Sequence, residues 1–168
     1  MDNTLLLVLA LLFGGAGMIS IFAIVNLVLP APVARTRAVI ETNLFRSLLL
    51  GFVNSLFIGL IGFLMMLPAR GGGLVAAICV GIIGLIGIFT AALVLVGMVA
   101  ITSLLGDKIG ETNSPVTTHL RGGGLLVLAC LTPYFGWLVF TPLVIWVSLG
   151  ASVQTIFRKK EKVAVEAK

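Results

Sequence analysis

Four long stretches of this chain carry no formal charge, and that absence limits the available folds more than any other feature. Leu5–Leu29, Ser47–Leu67, Leu74–Leu105 and Leu125–Phe157 contain no Asp, Glu, Lys or Arg. A membrane-crossing helix needs about 20 predominantly apolar residues, and each stretch is long enough. The 11 Lys and Arg and the 6 acids all fall in connectors or at the ends. With 10% charged residues and a mean hydropathy of +1.23, the chain lacks the polar surface of a water-soluble domain. The expectation is one transmembrane domain over residues 1–157, followed by a basic tail, 158–168, that is cytoplasmic or interfacial. The expected fold is all-α: an integral membrane four-helix bundle with a broken or re-entrant C-terminal segment.

The first stretch differs from a cleaved signal peptide. Such peptides start basic and have an apolar core of roughly 7–15 residues. This chain starts with the acidic Met1-Asp2-Asn3-Thr4 and continues into a much longer apolar run, so a retained helix is expected. The net charge of +5 and the pI near 9.8 fit basic residues that flank membrane spans. No basic stripe with interleaved aromatics is present, so nucleic acid is not an expected partner.

The third and fourth stretches look like copies. Arg70-Gly71-Gly72-Gly73-Leu74 matches Arg121-Gly122-Gly123-Gly124-Leu125 at an offset of 51. At the same offset Cys79 matches Cys130, Phe89-Thr90 matches Phe140-Thr141, and Ala100 matches Ala151. Neither triplet precedes Lys-Ser or Lys-Thr, so neither is a phosphate loop; both are expected as flexible starts to helices. A repeat of this kind serves either as a packing unit or as a transporter half.

Each copy is too long for a simple span, since 32 residues make a helix of ~48 Å against a core of about 30 Å. The second has a reason to break: Thr132-Pro133-Tyr134-Phe135-Gly136, with Pro142 beyond. Proline removes a backbone donor and clashes with the preceding turn. Freed backbone is tolerated at membrane depth only beside protein or water. Thr132, Pro133, Gly136 and Pro142 therefore mark an expected broken-helix region. Tyr134, Trp137 and Trp146 either anchor at an interface or fill that break.

Sidedness is left open by charge. With four crossings, taken as the default, Lys and Arg divide five against six between the two sides. A hairpin in the last stretch changes the division to ten against one, with the N-terminus outside.

Packing signals are plentiful. Ser47, Gly51, Ser55 and Gly59 recur at four-residue spacing, a small-residue face suited to close helix contact. Ala10 with Gly14, Ala77 with Gly81, and Gly87 with Ala91 repeat the pattern. Such faces serve bundle packing or an interface with another subunit. Between Ala31 and Arg46, Pro32 can open a helix, with Ile40 and Leu44 on one face and Arg35, Arg37 and Glu41 elsewhere. That suits a short interfacial helix.

Catalytic signals are absent. The single His119 lies in a polar loop, and Cys79 and Cys130 stand apart within apolar stretches. Pumps and ion-coupled carriers place ionisable groups within the membrane, whereas the embedded polar residues here are neutral: Asn26, Asn54, Ser55, Thr90, Thr102, Thr132 and Gln154. No catalytic residue, metal site or cofactor is expected.

Arg46-Ser47-Leu48-Leu49-Leu50-Gly51, Ser103-Leu104-Leu105-Gly106 and Thr132-Pro133-Tyr134-Phe135-Gly136-Trp137 resemble the helical membrane region beside bactofilin-type polymer-forming domains. The resemblance runs from Arg35 to Phe157, and the β-helical polymer domain has no counterpart in this sequence. It implies a bacterial multi-pass module without catalysis, and it carries over no site residues.

The leading expectation is a non-catalytic subunit of the bacterial inner membrane that packs against and stabilises a larger complex, such as a respiratory or photosynthetic electron-transfer assembly. Other integral membrane subunits, membrane lipids or further copies of itself would be its partners. The alternative is a small channel or carrier for a neutral solute, lined by Thr90, Thr132, Pro133 and Thr141.

Overall fold

The computed structural model describes residues 3–110, 115–132 and 134–166. Every element within them is helical: α1 (Asn3–Val28), α2 (Pro30–Ala69), α3 (Gly73–Ile109), α4 (Pro115–Leu131), a π-helical turn (Gly136–Phe140) and α5 (Thr141–Glu166). Among the described residues, Pro30–Pro68, Gly73–Ile109 and Gly136–Phe157 are long and apolar enough to cross a membrane. Phe13–Val28 and Leu120–Cys130 are shorter apolar helices. The chain is thus an all-helical, multi-pass membrane protein.

The first connector is part of α2. Pro30 opens that helix directly after Leu29, where proline's missing donor would have had no helical partner. The helix then bends at Asn43, whose φ of −144° and ψ of 53° are not helical. Before the bend, Val33, Thr36 and Ile40 are buried at helical spacing. Leu44 was expected to share a face with Ile40, but it is exposed because the bend resets the helical phase. The buried face of this segment joins the protein core rather than lying flat on lipid.

The chain turns at Arg70–Gly72. Gly72 and Gly73 have φ of +72° and +74°, a region that L side chains rarely adopt. The first glycine triplet therefore makes a helix start, as expected. The second does not. Gly122, Gly123 and Gly124 lie inside α4, where Gly122 meets the backbone of Thr102 and Gly106 on α3. The same tripeptide bends where it is free of neighbours and stays helical where a neighbour needs its bare backbone.

The helices alternate in direction. Arg37 forms ion pairs with Glu41 and with Asp107, near the end of α3. Thr36 shares a hydroxyl–hydroxyl hydrogen bond of 3.3 Å with Thr155 on α5. The start of α2 and the late turns of α3 and α5 therefore meet at one end of the molecule. From that end α4 runs outward, with Thr118 beside Gly106 and Gly122 beside Thr102. α1 runs back along α4, with Gly15 facing Val127 and Gly123 facing Ile19 and Phe22.

In place of one long fourth helix the structure has two, α4 and α5, separated at residues 132–135. The fourth apolar stretch bends there, and the late turns of α5 come to lie beside the first connector. The core gathers near the same end: Phe22, Val33, Val39, Ile40, Val99, Ala100, Leu126, Val144, Val147 and Ala151. Beyond it, α2 and α3 project as a two-helix hairpin. Ile58, Ile61 and Met65 are half-buried along α2, as are Ala76, Ile83 and Ile86 along α3, where Cys79 is buried. Only 6% of the most apolar window of α2 or α3 is buried, against 44% for α5. α5 and the later half of α3 are the buried helices, and the α2–α3 hairpin is a largely uncovered extension.

Candidate functional site

The expected small-residue face on α2 divides into two parts. Ser47 and Gly51 are buried against α5. A methyl group at Gly51 would overlap the Trp146 carbonyl, and one at Gly150 would overlap the Ser47 carbonyl. The two helices meet backbone to backbone, the closeness that small residues permit in lipid. Polar bonds fix the register. Ser47 Oγ donates to Asn43 O at 3.0 Å and accepts from Gln154 Nε2 at 3.1 Å. The Ser47 bond caps the carbonyl at the bend, so this one residue serves both the bend and the seam.

Ser55 is half-buried and Gly59 is exposed. With Phe52, Leu56, Leu60 and Trp146 they line an open apolar groove of about 460 Å³. Trp146 stands edge-on to Phe52, with ring centroids 4.9 Å apart. No atom lies within 4 Å of where a methyl group at Gly59 would sit. The stripe therefore continues past the point where the chain's own helix covers it.

α3 contributes two further close crossings. A methyl group at Gly97 would overlap the Ser148 backbone, and one at Gly106 would overlap Thr118. Ser152 Oγ also donates to Leu93 O at 2.7 Å. Gly97 and Ser148 are equivalent positions in the 51-residue repeat. Helices α3 and α5 cross where these matched positions meet. Ala100 and Ala151, also equivalent, are both fully buried.

The broken region is built differently from its sequence expectation. Thr132 is exposed, and its Oγ1 donates to Ala129 O at 2.6 Å. Pro133 lies outside the described residues. Tyr134 has a φ of +65°, uncommon for a residue with a side chain. Gly136 is buried, and its N–H donates to Thr132 O at 2.9 Å. A methyl group there would sit 2.7 Å from Cys130 O, so only glycine fits where the chain doubles back over the end of α4. Pro142 lies in the first turn of α5, past the break. The π-helical turn before it widens the backbone where proline cannot donate, and Thr141 Oγ1 donates to Gly136 O at 2.8 Å. Tyr134, Phe135 and Trp137 point outward and do not fill the break.

The remaining candidates do not converge. Cys79 is buried on α3, Cys130 is half-buried on α4, and both are free thiols. The side chain of His119 lies outside the described residues. Thr90, Thr132 and Thr141 each donate their hydroxyl hydrogen to a carbonyl of the same segment. The sequence shows Gln154 only as an embedded polar residue and Gly106 and Gly122 only as parts of motifs, and it gives no packing role to Gly97, Ser148 or Gly150. The repeat held a signal for one pair, since Gly97 and Ser148 are matched small residues. Nothing in sequence distinguished the other glycines from the many that touch nothing. Comparison with known proteins finds no matching family model, no similar curated protein and no similar solved structure.

Proposed function

We propose that this chain is a non-catalytic integral membrane subunit that packs against and stabilises a larger complex. Its described elements are all helical, and the last apolar stretch is divided into α4 and α5. The observation that carries the reading is the uncovered α2–α3 extension. Leu56, Phe57, Leu60, Phe63, Ile78, Leu85, Ile88 and Phe89 are all exposed there. Methyl groups at Gly59, Gly62, Gly81, Gly84 and Gly87 would meet nothing within 4 Å. Lipid tails satisfy exposed leucines, but open glycines on a helix face give another helix a place to approach closely. Within this chain the same device already joins α2 to α5 at Gly51 and Gly150.

The resemblance to the membrane region beside bactofilin-type domains supports a bacterial inner membrane setting. Electron-transfer complexes are the host class to test first, because they contain many small apolar subunits. Gentle solubilisation of native membranes, native electrophoresis and mass spectrometry test the reading. Stoichiometric migration with a larger complex supports it and names the host. Migration as a lone monomer ends it.

A further inference from the structure

We propose that the end of the molecule bearing Arg35, Arg46, Lys108 and the tail faces the cytoplasm and holds anionic lipid headgroups. The start of α1 and the Arg70–Gly72 turn then lie on the opposite side. Charge counting along the chain leaves sidedness almost even under four crossings, five against six, and the fold separates the two ends. Arg37 paired with Asp107 joins the first connector to the third. Thr36 bonded to Thr155 joins the first connector to the base of the tail. Gln154 bonded to Ser47 repeats that junction on the neighbouring turn.

Among the described residues, nine of the ten Lys and Arg therefore gather at one end, and Arg70 lies at the other. The described acidic side chains there, Glu41 and Asp107, offset only part of that charge. Arg37 is already occupied by Glu41 and Asp107. Arg35, Arg46 and Lys108 are exposed. An excess of Lys and Arg beside the spans selects the cytoplasmic side, and the negative headgroups of that leaflet match the exposed cations. The far end fits the opposite interface. The 22 residues of Gly136–Phe157 measure ~33 Å as a helix, about the thickness of the hydrocarbon core. They carry the exposed Tyr134 and Trp137 to the level where aromatic residues anchor.

This inference shares only membrane insertion with the proposed function, and resistance to alkaline carbonate extraction measures insertion separately. The test uses the full chain in bacterial inner membranes, with Cys79→Ala and Cys130→Ala as background. Single cysteines are placed as Arg70→Cys, Lys108→Cys and Lys162→Cys and probed with a membrane-impermeant maleimide. The expected result is label at Arg70→Cys in intact spheroplasts, and at the other two only after permeabilisation. Label at Lys162→Cys without label at Lys108→Cys in intact spheroplasts restores four crossings and overturns the proposal. Label at both, with none at Arg70→Cys, overturns it by reversing the orientation. A second readout addresses the headgroups. Phosphatidylglycerol retained through mild-detergent purification is expected to fall in the combined Arg35→Gln, Arg46→Gln and Lys108→Gln variant but not in Arg70→Gln. Equal retention in the two variants overturns the lipid part.

Discussion

Two glycines on one helix face give opposite predictions because only one has a neighbour. A side chain at Gly51 collides with the Trp146 carbonyl, which belongs to backbone and cannot rotate away. Gly51→Val is expected to destabilise the protein by about 1–3 kcal/mol or more, read as a lower unfolding midpoint in detergent. Gly59→Val meets open space, and its stability should change by no more than about 0.5 kcal/mol. If the proposed partner docks on the extension, Gly59→Val releases the chain from its complex while leaving the isolated chain's midpoint intact. Ser148 makes the opposite case. Its hydroxyl is fully buried and has no hydrogen-bond partner. Ser148→Ala removes an orphaned polar atom and keeps the β-carbon, so stability should rise by about 1 kcal/mol. A drop of that size would show that the hydroxyl is bonded in solution.

At the scale of elements, the two glycine triplets show how far local sequence reaches. Arg-Gly-Gly-Gly-Leu occurs twice, once as a turn with two positive φ angles and once within a helix. No local rule separates them; the neighbours of α4 do. Gly124 follows from this. It is helical and nothing lies near it, so Gly124→Ala should stabilise by about 0.5–1 kcal/mol through the lower conformational freedom of the unfolded chain. Were the triplet a hinge, the same change would destabilise. Gly136→Ala, by contrast, forces a carbon against the carbonyls of Ala129 and Cys130 and should unseat the π-helical turn from the end of α4. Loss of protease protection at the break is the measurement. The break was legible from Thr132, Pro133 and Gly136, because proline and glycine act on their own backbone. The partners of the small residues were not, because a helix face advertises closeness without saying to what. Ser47 and Gly51 stand out in the sequence by their four-residue spacing, but Gly150, on the other side of their contact, carries no mark of its own.

At the scale of the whole molecule, the uncharged stretches determined that the chain is helical and enters a membrane, whereas their arrangement depended on long-range pairs. Thr36 and Thr155 are far apart in sequence, and neither is distinctive. The ion pair of Arg37 and Asp107 belongs to this scale, but as a marker more than a support. Both side chains are about a third or more exposed, so a double-mutant cycle between Arg37→Ala and Asp107→Ala should give a coupling of about 1 kcal/mol or less. The α2–α5 seam carries more, since it joins backbones, polar bonds and the core at once. Removing both Gln154 and Ser47 side chains should therefore lower the unfolding midpoint more than removing the ion pair.

The short fourth helix also has a consequence for how the chain is made. Its apolar part, Leu120–Cys130, is about half the ~20 residues that a segment needs to cross a membrane alone. As it leaves the ribosome it cannot partition into lipid by itself, and it must wait in the translocon until α5 has emerged. Synthesis stopped at Phe140 would then leave α4 in water, while synthesis carried through Phe157 would deliver both helices together as one inserted unit.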